Sequence, residues 1–147
     1  MNHLEDLKKM MTGERPAAPI AQLLGIEIIE LEKGMVVLEM EVSEKLHNPM
    51  GTLHGGVLCD LSDLAMGYAF YSTLAGDELF TTVEIKLNFL KPIWEGKLRA
   101  ESKLIKKGNS TGLVECYVYD KKGSLVAHST STCMILKGNA DGKRVKS

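Results

Sequence analysis

The sequence predicts an α+β fold in which a curved antiparallel sheet wraps round one long central helix. Residues 55 to about 74 form the one long stretch whose apolar side chains recur at helical spacing. Residues 26–42 and 82–136 instead alternate apolar and polar side chains with the two-residue period of half-buried strands. A lone helix must cover the apolar face that such strands present. The chain has 147 residues, 44% hydrophobic and 25% charged, which suits one globular domain and excludes disordered and fibrous classes. That domain is expected over residues 1–137, and the polar tail over residues 138–147 is expected to be disordered.

Each element has a local reason. Residues 1–11 place Leu4, Leu7 and Met11 at helical spacing among acidic and basic residues, which predicts a short surface helix rather than the continuous apolar run of a secretion signal. After Pro16 and Pro19, residues 20–24 read as a short helix stopped by Gly25, and residues 26–31 as a strand. A tight turn at Glu32, Lys33 and Gly34 leads into Val36, Leu38, Met40 and Val42 on one strand face, opposite Glu39 and Glu41. In the long helix Val57, Leu61, Leu64, Ala65, Tyr68 and Tyr71 are expected to form the buried stripe. Asp60 and Asp63, each costing about 2.5–3.5 kcal/mol at a bilayer centre, exclude a membrane span there. Val83, Ile85, Leu87 and Phe89 are expected to share one face of the next strand, and consecutive strands through residue 136 are expected to form an antiparallel meander.

Composition narrows the partners. Eighteen basic residues against 19 acidic ones, without long blocks of one sign, argue against nucleic acid. Three cysteines, Cys59, Cys116 and Cys133, in apolar surroundings point to reduced core thiols and a cytoplasmic location. No serine-hydrolase, nucleotide-binding or dinucleotide-binding motif occurs, and His47, His54, Asp60 and Asp63 lack metal-ligand spacing, so neither a metal nor a redox cofactor is expected.

The chemistry therefore falls to carboxylates and backbone. Asp63 interrupts an apolar stretch, where a carboxylate needs a partner and can serve as base or nucleophile. Asp60, one turn earlier, shares that site, caps the helix or faces solvent. Gly55 and Gly56 at the helix start either expose amides that polarise a carbonyl oxygen or simply permit close packing. Lys106, Lys107, Asn109 and Ser110 form a polar turn that could meet phosphates.

Asn48, Gly51, His54, Gly55 and Gly56, followed by Leu61, Ser62 and Asp63, resemble the signature of hot-dog-fold acyl-CoA thioesterases. The subgroup is the phenylacetate-degradation type of the 4-hydroxybenzoyl-CoA thioesterase superfamily. The similarity runs from about residue 20 to residue 136. It implies a homodimer with shared active sites, often paired into a homotetramer. It also implies that Asp63 activates water or attacks the thioester, that Asn48 and the Gly55 amide polarise its carbonyl, and that Thr82 or Thr81, according to strand register, orients the water. His54, Gly56, Thr81, Lys107, Asn109 and Ser110 are the expected substrate-binding positions. A non-catalytic acyl-CoA sensor is the alternative reading. Tyr68, Tyr71, Phe70 and Met66 line an acyl pocket or belong to the core.

Overall fold

The computed structural model describes residues 2–138 together with Lys143, Arg144 and Lys146; apart from these last residues and Gly138, the expected tail lies outside the described residues. Two short helices lead, α1 (His3–Thr12) and α2 (Pro19–Leu24). The Asn2 side chain caps α1 by accepting from the Glu5 amide, and Gly13 and Gly25 close the two helices at φ 81° and 70°. Strands β1 (Ile26–Glu32) and β2 (Met35–Val42) form a hairpin, and a 3-10 turn (Glu44–Leu46) and a loop lead to α3 (Gly55–Tyr71). Then come β3 (Glu78–Phe89), β4 (Gly96–Lys107), β5 (Thr111–Tyr119) and β6 (Leu125–Lys137).

The six strands make one sheet in the order β1-β2-β4-β5-β6-β3, with every pair antiparallel. The expected meander therefore holds only for β4-β5-β6. Helix α3 carries the chain from β2 to the far edge, where β3 pairs with β6, and β4 then returns beside β2. Strand alternation specifies which face is apolar but not which neighbour a strand chooses.

Helix α3 packs against β2, β3, β4, β5 and β6, so the sheet wraps it as expected. Its buried face differs from the predicted stripe: Leu58, Met66, Ala69 and Phe70 are as deeply buried as Leu61 and Ala65, while Leu64, Tyr68 and Tyr71 are only half-buried. A helix enclosed by a sheet is apolar nearly all round, which blurs the periodic signal. No helix among the described residues is long and apolar enough to cross a membrane.

Strand β3 also departs from simple alternation. Thr82 pairs with Cys133 and Glu84 with Thr132, so Val83 is an extra residue in a bulge and is 53% exposed. The bulge changes the inward phase: Phe80 and Thr82 face α3 before it, Ile85 and Leu87 pack on the core after it.

Candidate active site

Asp63 lies in the third turn of α3, half-buried, and its Oδ1 accepts a 3.0 Å hydrogen bond from the Thr82 hydroxyl. The bulge at Val83 is what turns Thr82 rather than Thr81 toward the helix. Thr81 Oγ1 accepts from Arg144 at 3.5 Å instead. The pair opens into a cleft of about 340 Å³, walled by Asp60, Leu64, Gly67, Tyr68, Tyr71 and Phe80 with Ile20 and Thr82. Asp60 thus shares the cleft while remaining exposed. Burial, with the neighbouring charges of Asp60 and Asp63, pushes the Cys59 thiol up, so it stays protonated at neutral pH. Burial likewise raises the phenols of Tyr68 and Tyr71.

Two cleft-forming residues were not anticipated. Gly67 follows Asp63 by one helical turn, and a Cβ there would stand 3.0 Å from Phe80 Cζ, so the missing side chain lets the ring of Phe80 in. Phe80 precedes Thr82 by two residues and so shares its strand face. Both signals are spacings from residues already singled out. Met66 and Phe70, in contrast, are fully buried in the core and do not line the cleft.

Asn48 and Gly55 line a second cavity, of about 360 Å³, with Thr52, Leu58, Phe89 and Lys91 among its walls. Asn48 organises its own loop: Oδ1 accepts from the Met50 and Thr52 amides at 3.0 and 3.2 Å, and Nδ2 donates to Thr52 Oγ1 at 2.9 Å. A primary amide has two N–H donors, so this bond leaves one. At Gly55 the close packing is seen directly: a Cβ there would come within 2.9 Å of the Phe89 ring, and the Gly55 amide, at the helix start, has no partner inside the helix. His54 is exposed, immediately precedes α3, and lays its ring over Gly56, where a Cβ would stand 3.2 Å from Cδ2.

Within one chain, then, the Asp63–Thr82 pair and the Asn48–Gly55 pair open into separate cavities. The hairpin residues lie in neither. Lys107 turns inward, donating to the Thr73 carbonyl at 3.1 Å with Glu78 at 3.6 Å, while Asn109 and Ser110 are exposed at the β4–β5 turn. Among the described residues no three His, Cys, Asp or Glu side chains converge as a metal site would require.

Residues 50–127 match the thioesterase superfamily, more than half of the chain. This chain belongs to that superfamily. A 1,4-dihydroxy-2-naphthoyl-CoA hydrolase of Listeria monocytogenes is 34% identical over 118 residues, covering 80% of this chain and 96% of that protein. The acyl-coenzyme A thioesterase PaaI of Escherichia coli is 32% identical, covering 73% of this chain and 75% of its own. A thioesterase family protein of Silicibacter pomeroyi has the same fold at a TM-score of 0.80 and 29% identity, covering 90% of this chain and 99% of its own. The hot-dog fold and the thioesterase activity that the motif implied are both borne out: the protein is a thioester hydrolase.

Proposed function

We propose that this thioesterase cleaves the thioester of an acyl-CoA, releasing the free acid and CoA, and that Asp63 is its catalytic carboxylate. The supporting observation is the Asp63–Thr82 hydrogen bond inside a cleft whose far walls are apolar. Relatives whose names specify CoA thioesters support the substrate class. Thr82 holds Oδ1, and Oδ2 is left to take a proton from water as the water oxygen adds to the thioester carbonyl. The resulting oxyanion needs donors, and the Gly55 amide and the free N–H of the Asn48 side chain supply them. Collapse breaks the C–S bond, and the departing thiolate recovers the proton from Asp63. Direct attack by Asp63 on the carbonyl is the other route that this carboxylate allows. The reading uses no metal or redox cofactor.

The donors belong to a second copy of the chain in this account. Strand β3, which carries Thr82, is an edge strand paired, among the described residues, with β6 alone, whereas α1 and α2 pack on the opposite edge strand, β1. An unpaired edge is a template for a second strand. Two-fold pairing along β3 forms a homodimer in which each Asp63 faces its partner's Asn48, Gly55, His54 and Gly56. Further pairing of dimers into a homotetramer, and a cytoplasmic location, complete the proposal. Lys107 is tied to the turn after α3 and to β3, so any contact of this hairpin with the substrate falls to the exposed Asn109 and Ser110.

Thiol release from a panel of acyl-CoAs tests the reading. The wild-type protein turns over at least one member, and Asp63→Asn, which preserves shape, lowers that turnover by orders of magnitude with fold and oligomer intact. Near-normal hydrolysis by the folded variant contradicts the assignment. Tight acyl-CoA binding without turnover in the wild type reassigns the protein as a sensor.

A further inference from the structure

The Asp63 cleft has a neighbour. Another cavity, of about 380 Å³, lies between α1, α2 and β1, with Met10, Met11, Ala17, Ala21, Ile26 and Ile28 among its walls. Tyr68 lines both cavities and is the one residue they share among those described. Its half-buried ring packs against the core and shares the wall of the latter cavity with Ala17 and Ile28. The Ala18 backbone, at the start of α2, lies near its hydroxyl.

The two chambers differ in character. Polar groups of the first gather toward the start of α3 at Asp60 and Asp63, and its apolar walls run on to Gly67, Tyr68 and Tyr71. Five residues of helix separate Asp63 from Tyr68, about 7.5 Å along the axis. An acyl group whose thioester sits at Asp63 therefore has its apolar room in the direction of Tyr68. The second chamber has mostly apolar walls, and its two methionines are side chains that re-pack round irregular apolar guests. It offers space for an alkyl chain, with the exposed Thr12 and Glu27 as its polar side chains.

We propose that Tyr68 is the specificity-determining wall of the acyl site: it sets the upper limit on acyl length, and the chamber behind it accepts a longer chain once the ring is removed. The inference rests on the acyl-CoA reading above and goes beyond it by naming the limit and the residue that imposes it. Neither chamber alone is large: each lies near the lower end of the roughly 300–1,000 Å³ usual for ligand sites. Joining them about doubles the room.

The experiment compares kcat/KM for dodecanoyl-CoA with that for the best short-chain or aromatic acyl-CoA of the panel. Tyr68→Ala raises the ratio about tenfold or more, because each added methylene that finds apolar room contributes to transition-state binding. Tyr68→Phe keeps the ring and leaves the ratio near that of the wild type. Adding Ala17→Phe to Tyr68→Ala refills the second chamber and returns the ratio toward the wild-type value, which general loosening of the fold would not do. Tyr68→Leu replaces Tyr68→Ala in both comparisons if the alanine variant fails to fold. An unchanged ratio in a folded variant overturns the inference, as does a gain that Ala17→Phe leaves untouched. A wild-type protein inactive toward every acyl-CoA overturns the underlying reading instead, so the two failures are distinguishable.

Discussion

Thr82 is a hydrogen-bond donor placed by an irregularity. Its hydroxyl reaches Asp63 Oδ1 at 3.0 Å, and a bond to a charged acceptor is worth about 1.5–3 kcal/mol. Thr82→Val keeps the shape and removes the donor, so kcat falls about 10- to 100-fold with KM little changed, while Thr82→Ser retains most of the rate. Steady-state kinetics on the preferred acyl-CoA check this positioning role. Asp60 lines the same cleft but is exposed, and the Thr82 hydroxyl donates to Asp63 instead, so Asp60→Asn costs much less than Asp63→Asn; equal losses would mean that the two carboxylates act as a coupled pair. A structural residue gives a further test. A Cβ on Gly112 would lie 2.3 Å from Phe70 Cε2, inside a fully buried ring's packing. Gly112→Ala therefore destabilises by about 1–3 kcal/mol, read as a lowered Tm. At this scale Asp63 was legible because a carboxylate in an apolar helix needs an explanation. The choice between Thr81 and Thr82 was not, because Val83 looks like an ordinary inward strand residue until the pairing with β6 shows it to be the bulge.

Among the elements, α1 carries a titratable anchor. His3 is 2% exposed and packs its ring, tilted by 35°, against Tyr71 with centroids 4.2 Å apart. Burial holds its imidazole below the ordinary 6.5, against the opposing pull of Asp6 and Glu78. The unfolded segment binds the proton more readily than the docked one, so stability rises with pH through this range and is lost as pH falls from about 6.5 toward the lower folded value. Amide hydrogen exchange in α1 should accelerate on going from about pH 7.5 to about pH 5.5 beyond the intrinsic pH effect, and His3→Leu should remove the excess. Equal protection at both pH values would contradict this anchor. The existence of α1, α2 and α3 followed from spacing and, for α2, from Gly25, while Gly34 marked the β1–β2 turn; both glycines take positive φ angles. The orientation of α3 did not follow. Its apolar residues surround it, and only contact with five strands decides that Phe70 is core and Tyr71 is cleft wall.

For the whole molecule, strand faces were legible and strand order was not. The two-residue period over residues 82–136 puts Leu98, Ala100, Ser102, Leu104, Val114, Cys116 and Val118 on the inward side, and all are buried except Leu104, which is half-buried. It carried no information that β3 leaves its sequence neighbour β4 and takes the edge beside β6. That edge determines how the molecule works in this account. It carries Thr82, ends at the 58% exposed Phe89, and stands apart from the cavity that holds Asn48 and Gly55. A single chain thus holds Asp63 in one cavity and the proposed carbonyl-binding donors in another, and the central claim is that a second copy brings them together. Subunit exchange tests this most directly. Asp63→Asn and Asn48→Ala proteins, each inactive alone, are mixed in equal amounts and allowed to exchange, and acyl-CoA hydrolysis is followed while mass spectrometry counts heterodimers. One site of each heterodimer then carries both intact residues and the other carries neither, so random assembly restores about one quarter of wild-type activity. Heterodimers that form without any regained hydrolysis would contradict the shared site.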